Sequence, residues 1–183
     1  MIKLLNITKS FNDESVLSDF SYHFYPDHKY LIFGESGIGK TTLLNIIMGL
    51  QKADKGSVLS NCNFSCSFQQ TRLFEKYSVL ENLKIINNKE NLEEIIVQLL
   101  GKEFIDKPVF SLSGGQKQKV SIIRAIIANS DCVILDEPFN NLDEKNILQC
   151  LEFIMNNLKG RTLIISSHIT EQLKKYDFIT IKL

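Results

Sequence analysis

Hydrophobic and polar residues alternate along the first 30 residues of the chain. The clearest example is Phe20-Ser21-Tyr22-His23-Phe24-Tyr25, which has the period of two that is typical of a half-buried β-strand. Turn-forming residues at Asn12-Asp13-Glu14 and at Pro26-Asp27 separate segments of this kind. The pattern predicts that the chain opens with an antiparallel β layer.

Further along, apolar strands alternate with helical segments. Residues 29–33 form a short apolar run that leads into a glycine-rich segment, and residues 40–48 continue as an apolar helix. The later elements of this pattern are a helix over 113–128, a strand over 132–135, a helix from Asp143, a strand over 163–165 and a terminal strand over 178–183. Such alternation predicts an α/β fold with a mostly parallel sheet.

Residues 78–105 have a different pattern, in which charged pairs such as Glu93-Glu94 alternate with apolar residues at helical spacing. The apolar positions are Leu92, Ile95, Ile96, Leu99 and Leu100. We expect a helical subdomain at about residues 75–112, inserted into one domain that spans residues 1–183. A length of 183 residues with 44% hydrophobic content suits a single core.

Net charge and hydropathy limit which binding partners and which cellular location are expected for this chain. The 21 basic and 21 acidic residues give a net charge of zero, so we expect a protein partner and no nucleic acid. The apolar stretch over 43–50 is far shorter than the ~20 residues that span a bilayer. The first residues do not resemble a signal peptide, so we expect a cytoplasmic protein.

The cysteines are Cys62, Cys66, Cys132 and Cys150, which we interpret as reduced thiols, with a metal site as the remote alternative.

The glycine-rich segment carries the first chemical motif. Gly34-Glu35-Ser36-Gly37-Ile38-Gly39-Lys40-Thr41 fits the phosphate-loop pattern G-x-x-x-x-G-K-S/T. Its glycines let the backbone N–H groups point at phosphate oxygens, and the following helix adds its positive N-terminal dipole. We expect Lys40 to pair with the β- and γ-phosphates, Thr41 to offer its hydroxyl to Mg²⁺, and Thr42 to contact the α-phosphate side. The alternative is an ordinary glycine turn before a helix.

A carboxylate pair follows the apolar strand over 132–135. Asp136 lies at the C-terminal tip of this strand, where open α/β sheets bind ligands, and is the expected Mg²⁺ partner. Glu137 points in another direction and is expected to orient or deprotonate the attacking water. The alternative is that the pair caps a turn before Pro138.

A second anion-binding helix start lies at Ser113-Gly114-Gly115, but it has no lysine where a phosphate loop requires one. It is therefore expected to complete a site and not to form one. The helix that follows is roughly 22 Å long at 1.5 Å per residue, enough to hold this second motif away from the first. Two chains arranged head to tail would each supply what the other lacks.

The order of these motifs resembles the nucleotide-binding subunit of ATP-binding-cassette (ABC) proteins over almost the whole chain. The resemblance implies a P-loop NTPase fold of ABC type that hydrolyses ATP with Mg²⁺. It implies that Leu112-Ser113-Gly114-Gly115-Gln116 is the signature motif, whose Ser113, Gly114, Gly115 and Gln116 contact ATP held by a second protomer. Hydrolysis then needs two nucleotide-binding domains, and a homodimer induced by ATP is expected.

The same resemblance implies roles for four further positions. Phe68-Gln69-Gln70-Thr71-Arg72-Leu73-Phe74 is similar to the glutamine loop, in which Gln69 reaches the metal or the lytic water, with Gln70 as an adjacent alternative. Asn140-Asn141-Leu142-Asp143 resembles the D-loop and places Asp143 near the nucleotide. His168 resembles the switch histidine that contacts the γ-phosphate, and Phe11 the aromatic residue that stacks on adenine.

The chain departs from the family pattern in two respects. Lys119 stands where an arginine often follows the signature, which weakens any bidentate contact there. The sequence ends at Leu183, whereas relatives usually continue into further strands and helices, so we expect no regulatory extension.

The resemblance also implies a separate membrane permease, docked on the helical subdomain around residues 74–86, so that the chain lies at the cytoplasmic face of the membrane. Asp136-Glu137-Pro138-Phe139 and the glutamine loop are more similar to importers of the nitrate, sulfonate and taurine type. Residues 43–47 and 141–143 are equally similar to peptide or lipoprotein exporters.

The alternative function is a soluble ABC ATPase of cofactor assembly, or a regulator or adaptor. A small P-loop kinase would not contain the signature motif.

Overall fold

Two sheets contain the strands of the part of the chain that the structure describes. The computed structural model describes residues 1–12, 14–87, 91–169 and 171–183. The strands, numbered in chain order, are β1 (Ile2–Phe11), β2 (Glu14–Phe24), β3 (Lys29–Phe33), β4 (Lys55–Ser60), β5 (Phe64–Ser67), β6 (Cys132–Asp136), β7 (Thr162–Ser167) and β8 (Ile179–Lys182). The three-stranded sheet has the order β2-β1-β4 and the five-stranded sheet the order β5-β6-β7-β3-β8 in the residues described.

The five-stranded sheet is parallel, because each neighbouring pair of its strands runs in the same direction. Every residue of β6 and β7 is buried, as expected for central strands that are covered on both faces. Leu135 and Ile165 point to one face and pack in one apolar cluster, whereas Ile134 and Ile164 pack in another on the opposite face. The predicted α/β fold with a mostly parallel sheet is confirmed.

The antiparallel layer predicted for the start of the chain is also present. β1 pairs with β2 along most of their length, and Ile2, Leu4 and Phe24 are buried on the inner face. β4 completes this layer from a region in which we predicted no strand, because its residues are mostly exposed and lack a clear alternation. Asp13, in the predicted turn between β1 and β2, lies outside the described residues.

Five helices accompany the sheets in the part of the chain that the structure describes. They are α1 (Lys40–Ile47), α2 (Val79–Lys84), α3 (Leu92–Leu99), α4 (Gly114–Ile127) and α5 (Glu144–Asn157). Among the same residues, 3₁₀ helices cover Lys102–Phe104, Val109–Ser111 and Glu171–Tyr176. The helical stretch predicted over 78–105 thus contains α2 and α3, with residues 88–90 outside the description. Its assignment as an inserted subdomain of one domain stays a prediction.

The cysteines are all free thiols. Burial raises the pKa of both Cys132 and Cys150 to about 12, so these two thiols stay protonated near neutral pH.

Among the residues described, no group of three or more metal-ligating side chains comes together. None of the described helices is both long and apolar enough to cross a bilayer.

Candidate active site

The phosphate loop connects β3 to α1, as the sequence predicts. Gly39 is the N-cap of α1 and has a φ of 110°, in the left-handed region that glycine adopts without a side-chain penalty. A Cβ at this position would lie 2.6 Å from Cγ1 of Val16 in β2. Glycine is therefore required here both by the backbone conformation and by the close approach of the antiparallel layer.

Lys40, the first residue of α1, is buried and its ammonium group is fully engaged. Nζ donates to the carbonyl oxygens of Gly34 and Glu35 at 2.8 and 2.9 Å, and lies 3.1 Å from Oε1 of Glu137. The side chain of Lys40 is only 6% exposed. An incoming phosphate therefore has to replace acceptors that the protein itself supplies to this cation.

Asp136, at the C-terminal end of β6, is held from two sides. The Thr41 hydroxyl donates to Oδ2 at 2.8 Å, and the Ser166 hydroxyl donates to Oδ1 at 2.5 Å. The carboxylate and the Thr41 hydroxyl thus lie side by side, although 95 positions separate them in the sequence. Neighbouring carboxylate and hydroxyl oxygens are the ligands that Mg²⁺ prefers, so the residues present fit this metal.

Glu137 follows β6 in an unusual backbone conformation, with a φ of 46°. Its N–H donates to the carbonyl oxygen of Ser166 at 3.1 Å and to the Ser166 hydroxyl at 2.9 Å. Its Oε1 faces Lys40, and its Oε2 lies 3.1 Å from Nδ1 of the exposed His168. The side chain therefore points at Lys40, the predicted phosphate-binding residue, and at His168. It does not cap the turn before Pro138.

A cavity of about 150 Å³ lies in front of the phosphate loop. Its lining residues are Ser36, Gly37, Gly39, Lys40, Thr41, Thr42, Gln69 and Glu137. Gln69 reaches this cavity, whereas Gln70 is not among the lining residues. The loop after Gln69 is fixed by Arg72, whose guanidinium lies 3.9 Å from the Phe68 ring centroid and whose carbonyl oxygen accepts from Nη2 of Arg124.

The signature residues lie at a second cavity, of about 730 Å³, with no lining residue in common with the first. It is lined by Leu100, Ser113, Gly114, Gly115, Gln116, Lys119, Asn141, Leu142, Asp143 and Asn146. Ser113 is the N-cap of α4: its hydroxyl accepts from the Gln116 N–H, and its own N–H donates to the Gln116 side chain. The structure therefore separates the signature motif from the phosphate loop of the same chain.

The predicted D-loop packs directly on the signature helix. A Cβ at Gly115 would lie 3.1 Å from both the carbonyl oxygen of Asn141 and Cδ2 of Leu142, so glycine allows this contact. Asp143 is the N-cap of α5, and hydrogen bonds from the backbone N–H and the side chain of Asn146 lower the pKa of its carboxyl. Asp143 thus stays ionised at the rim of the second cavity.

Phe11 lines neither cavity. It lies at the end of β1, is 45% exposed, and has Nζ of Lys9 at 5.3 Å from its ring centroid. Its β1–β2 hairpin approaches the phosphate loop through Val16. Stacking of Phe11 on adenine stays a prediction.

Sequence reasoning missed Ser166, which contacts both carboxylate residues. The available signal was a hydroxyl that follows the apolar run Leu163-Ile164-Ile165, because a buried polar side chain in such a strand requires a hydrogen-bond partner. The pattern alone does not identify that partner.

The fold and these two cavities define the class of this protein as a P-loop ATPase with a cassette arrangement. The family model described as "ABC transporter" matches residues 17–140. The chain belongs to this family and is an ATP-binding subunit with ATPase activity.

Two relatives illustrate the similarity. The phosphonates import ATP-binding protein PhnC of Fusobacterium nucleatum is 26% identical over 96% of this chain and 85% of its own length. The uncharacterized ABC transporter ATP-binding protein MJ1023 of Methanocaldococcus jannaschii is 35% identical over 95% of this chain and 70% of its own.

A solved relative has the same fold. The dimeric ABC transporter cassette MJ0796 superposes with a TM-score of 0.85 at 27% identity, covering 100% of this chain and 94% of its own. The same cassette has also been solved as a dimer in a post-hydrolysis state with ADP and Pi, which superposes with a TM-score of 0.79 at 28% identity.

Replacing Lys40 by alanine is expected to weaken ATP binding about 10- to 100-fold, because hydrogen bonds to charged groups contribute roughly 1.5–3 kcal/mol. The backbone cradle of the phosphate loop remains in this variant, so binding is reduced and not abolished. Isothermal titration with ATP measures the change. Lys52→Ala, at an exposed position, is the matched control, and equal affinities for the two variants would contradict the role of Lys40.

Proposed function

We propose that this chain is the ATPase subunit of an importer, working as a dimer and docked on a separate membrane permease at the cytoplasmic face. The observation that carries the proposal is an exposed apolar surface that begins at Phe74, the last residue of the glutamine loop. We call it the docking patch; it consists of Phe74, Tyr77, Ile85, Ile86 and Phe110, which are 43–64% exposed. Apolar clusters of this kind on a protein surface mark sites of protein interaction.

The docking patch is built from a fixed backbone. Asn82 is completely buried, and its side chain accepts from the Phe74 N–H and donates to the carbonyl oxygens of Phe74 and Ser78. The rings of Phe74 and Tyr77 lie 5.7 Å apart, and a groove of about 560 Å³ beside them is lined by Tyr77, Glu81, Lys84 and Ile85. A preformed surface loses little conformational freedom when a partner docks on it.

The docking patch is also connected to the signature helix. The Glu75 carboxylate pairs with Nζ of Lys117 in α4 at 2.9 Å. The backbone carbonyl oxygen of Glu75 accepts from the Phe110 N–H. The Tyr77 carbonyl oxygen accepts from the Val109 N–H, just before the signature motif. A partner bound at the docking patch therefore lies next to segments that are hydrogen-bonded to the signature helix and to the residues just before it.

The separation of the two cavities supports a dimer. Each chain has a phosphate loop without a nearby signature motif and a signature motif without a phosphate loop, so two chains in head-to-tail contact form two complete sites. A two-fold dimer makes both sites equivalent. We propose that Ser113, Gly114, Gly115, Gln116 and Asp143 act on ATP bound to the partner chain.

Within one chain, the phosphate-loop residues over 34–42 bind the triphosphate. Thr41, Asp136 and Gln69 are the residues that would hold Mg²⁺, which when bound neutralises charge on the phosphates. Glu137 takes the proton of the attacking water, since its carboxylate lies at the cavity and is oriented by His168. His168, which is 58% exposed and lies 3.1 Å from Glu137, contacts the γ-phosphate in this proposal.

Import is favoured over export because the relative PhnC is named as a phosphonates import ATP-binding protein. The finer resemblance to nitrate, sulfonate and taurine importers stays a prediction. The alternative, a non-transport ABC ATPase, predicts that the docking patch binds a soluble protein.

The test is affinity capture of tagged Glu137→Gln protein with Mg-ATP from detergent-solubilised membranes of the native cell. The same variant carrying Tyr77→Glu tests the docking patch, and Val97→Glu, an exposed apolar position on α3 outside the patch, is the matched control. A polytopic membrane protein recovered by the control and lost with Tyr77→Glu supports a permease, and an accompanying extracytoplasmic binding protein supports import. Recovery of soluble partners alone would overturn the transport proposal.

A further inference from the structure

We infer that Ser166 is a positioning residue for hydrolysis, which holds Asp136 and Glu137 in their working orientation through one hydroxyl group. The inference rests on the roles proposed above for these two carboxylates. Ser166 is completely buried near the end of β7, and in the sheet register it lies directly opposite Asp136 of β6.

The hydroxyl of Ser166 is used in both directions. It donates to Oδ1 of Asp136 at 2.5 Å and accepts the N–H of Glu137 at 2.9 Å. The backbone of Asp136 is already fixed by the sheet, so the additional contact acts on its carboxylate. With Thr41 bound to the other oxygen, the Asp136 side chain is fixed at both oxygens.

The second contact acts on the backbone of Glu137. A positive φ is unfavourable for a residue with a Cβ, so this conformation persists only where the surroundings hold it. The Glu137 N–H meets two acceptors on the same residue, the Ser166 hydroxyl and the Ser166 carbonyl oxygen. This backbone conformation directs the Glu137 side chain toward Lys40 and His168.

A purely structural reason for a serine at this position is weak. The preceding residues Leu163, Ile164 and Ile165 are apolar and buried, as is usual in a central parallel strand. A hydroxyl in this setting costs desolvation energy that only its hydrogen bonds offset. Both of those bonds go to the two residues proposed to act on the metal and on the water.

The Ser166→Ala variant separates this role from general stability. Because the Ser166 carbonyl oxygen still accepts the Glu137 N–H, the fold is expected to persist, and the KM for ATP stays near the wild-type value. The kcat is expected to fall about 10- to 100-fold, the usual effect of losing a residue that orients a ligand or catalytic group. Ser166→Thr keeps the hydroxyl and is expected to restore most of kcat.

Ser65→Ala is the matched control. Ser65 is a buried serine of β5 in the same sheet, but its hydroxyl bonds only to the hydroxyl of Ser130, among the described residues. Urea unfolding of Ser65→Ala, Ser166→Ala and Ser166→Thr reports the stability of each variant. A similar loss of kcat in Ser65→Ala would show that general loosening explains the effect and would overturn the inference.

A readout that needs no nucleotide is the exchange rate of the Glu137 amide hydrogen, measured by NMR on the isolated protein. Loss of one acceptor is expected to speed this exchange about 2- to 10-fold in Ser166→Ala and not in Ser166→Thr. Faster exchange with an unchanged kcat would overturn the inference, as would a failure of a stably folded Ser166→Thr to restore kcat. If the added methyl group of threonine destabilises the fold, the inference is judged on Ser166→Ala. A lower kcat with a near-normal KM for ATP supports it, and an unchanged kcat overturns it. Failure of the proposed roles appears separately, as normal hydrolysis by Glu137→Gln.

Discussion

Glu137→Gln is expected to lower kcat by roughly 10²- to 10⁴-fold while ATP stays bound, because an amide cannot take the proton of the attacking water. The amide keeps the shape of the side chain, so the geometry of the cavity is retained. In the proposed dimer, ATP that is bound and not hydrolysed would hold the two chains together. Size-exclusion chromatography with Mg-ATP is therefore expected to detect a stable dimer of this variant.

The ion pair between Glu137 and Lys40 adds a second expectation for the same variant. Both side chains are at least 90% buried, so neutralising Glu137 leaves the Lys40 ammonium with carbonyl oxygens as its protein acceptors. An uncompensated buried charge lowers the free energy of unfolding, here by about 1–3 kcal/mol. The phosphates of ATP supply the missing negative charge, so ATP should raise the melting temperature more in Glu137→Gln than in the wild type.

Thermal unfolding with and without ATP checks this expectation, and phosphate release measures kcat. Glu152→Gln, at an exposed position on α5, is the matched control and should behave as the wild type in both assays. If Glu137→Gln hydrolyses ATP at the normal rate, the proton is accepted by His168 or another group.

Ser113→Arg is expected to reduce hydrolysis roughly 10²- to 10³-fold, the effect of removing a hydrogen-bond donor that meets developing charge. ATP binding should persist, because the phosphate loop lies at the other cavity. Arginine also cannot cap α4, at a cost of about 1 kcal/mol in stability. Ser113→Asp separates the two effects, since aspartate caps a helix well but repels phosphate, so this variant should be as stable as the wild type and still hydrolyse slowly.

Mixing Ser113→Arg with Lys40→Ala tests whether a site uses residues of two chains. A mixed dimer has one intact site, formed by Lys40 of the first variant and Ser113 of the second. With random pairing and independent sites, about a quarter of wild-type activity should return. Activity that stays at the sum of the two separate variants would place the whole site within one chain. Ser57→Arg, at an exposed position on β4, is the control for the substitution itself.

Local motifs were the most predictable part of the site. The phosphate loop is one continuous segment, so its glycines, Lys40 and Thr41 could be placed from spacing alone. The starts of α4 and α5 follow from their N-cap residues, Ser113 and Asp143, whose side chains accept from N–H groups of the first helical turn. β4 was missed because an exposed edge strand has no clear hydrophobic alternation.

The sequence by itself determined the α/β fold class, the order of the motifs and the family, because these depend on local periodicity and on residue types at fixed spacing. Only the tertiary structure decided that Asp136 meets Thr41, that Glu137 meets Lys40 and His168, and that Ser166 contacts both carboxylate residues. It also decided that the signature motif lies at a separate cavity. The physical reason is that buried parallel strands are apolar on both faces, so their pattern contains no information on which strands are neighbours or in what register. The contacts of Ser166 depend on that register and therefore became visible only in the folded chain.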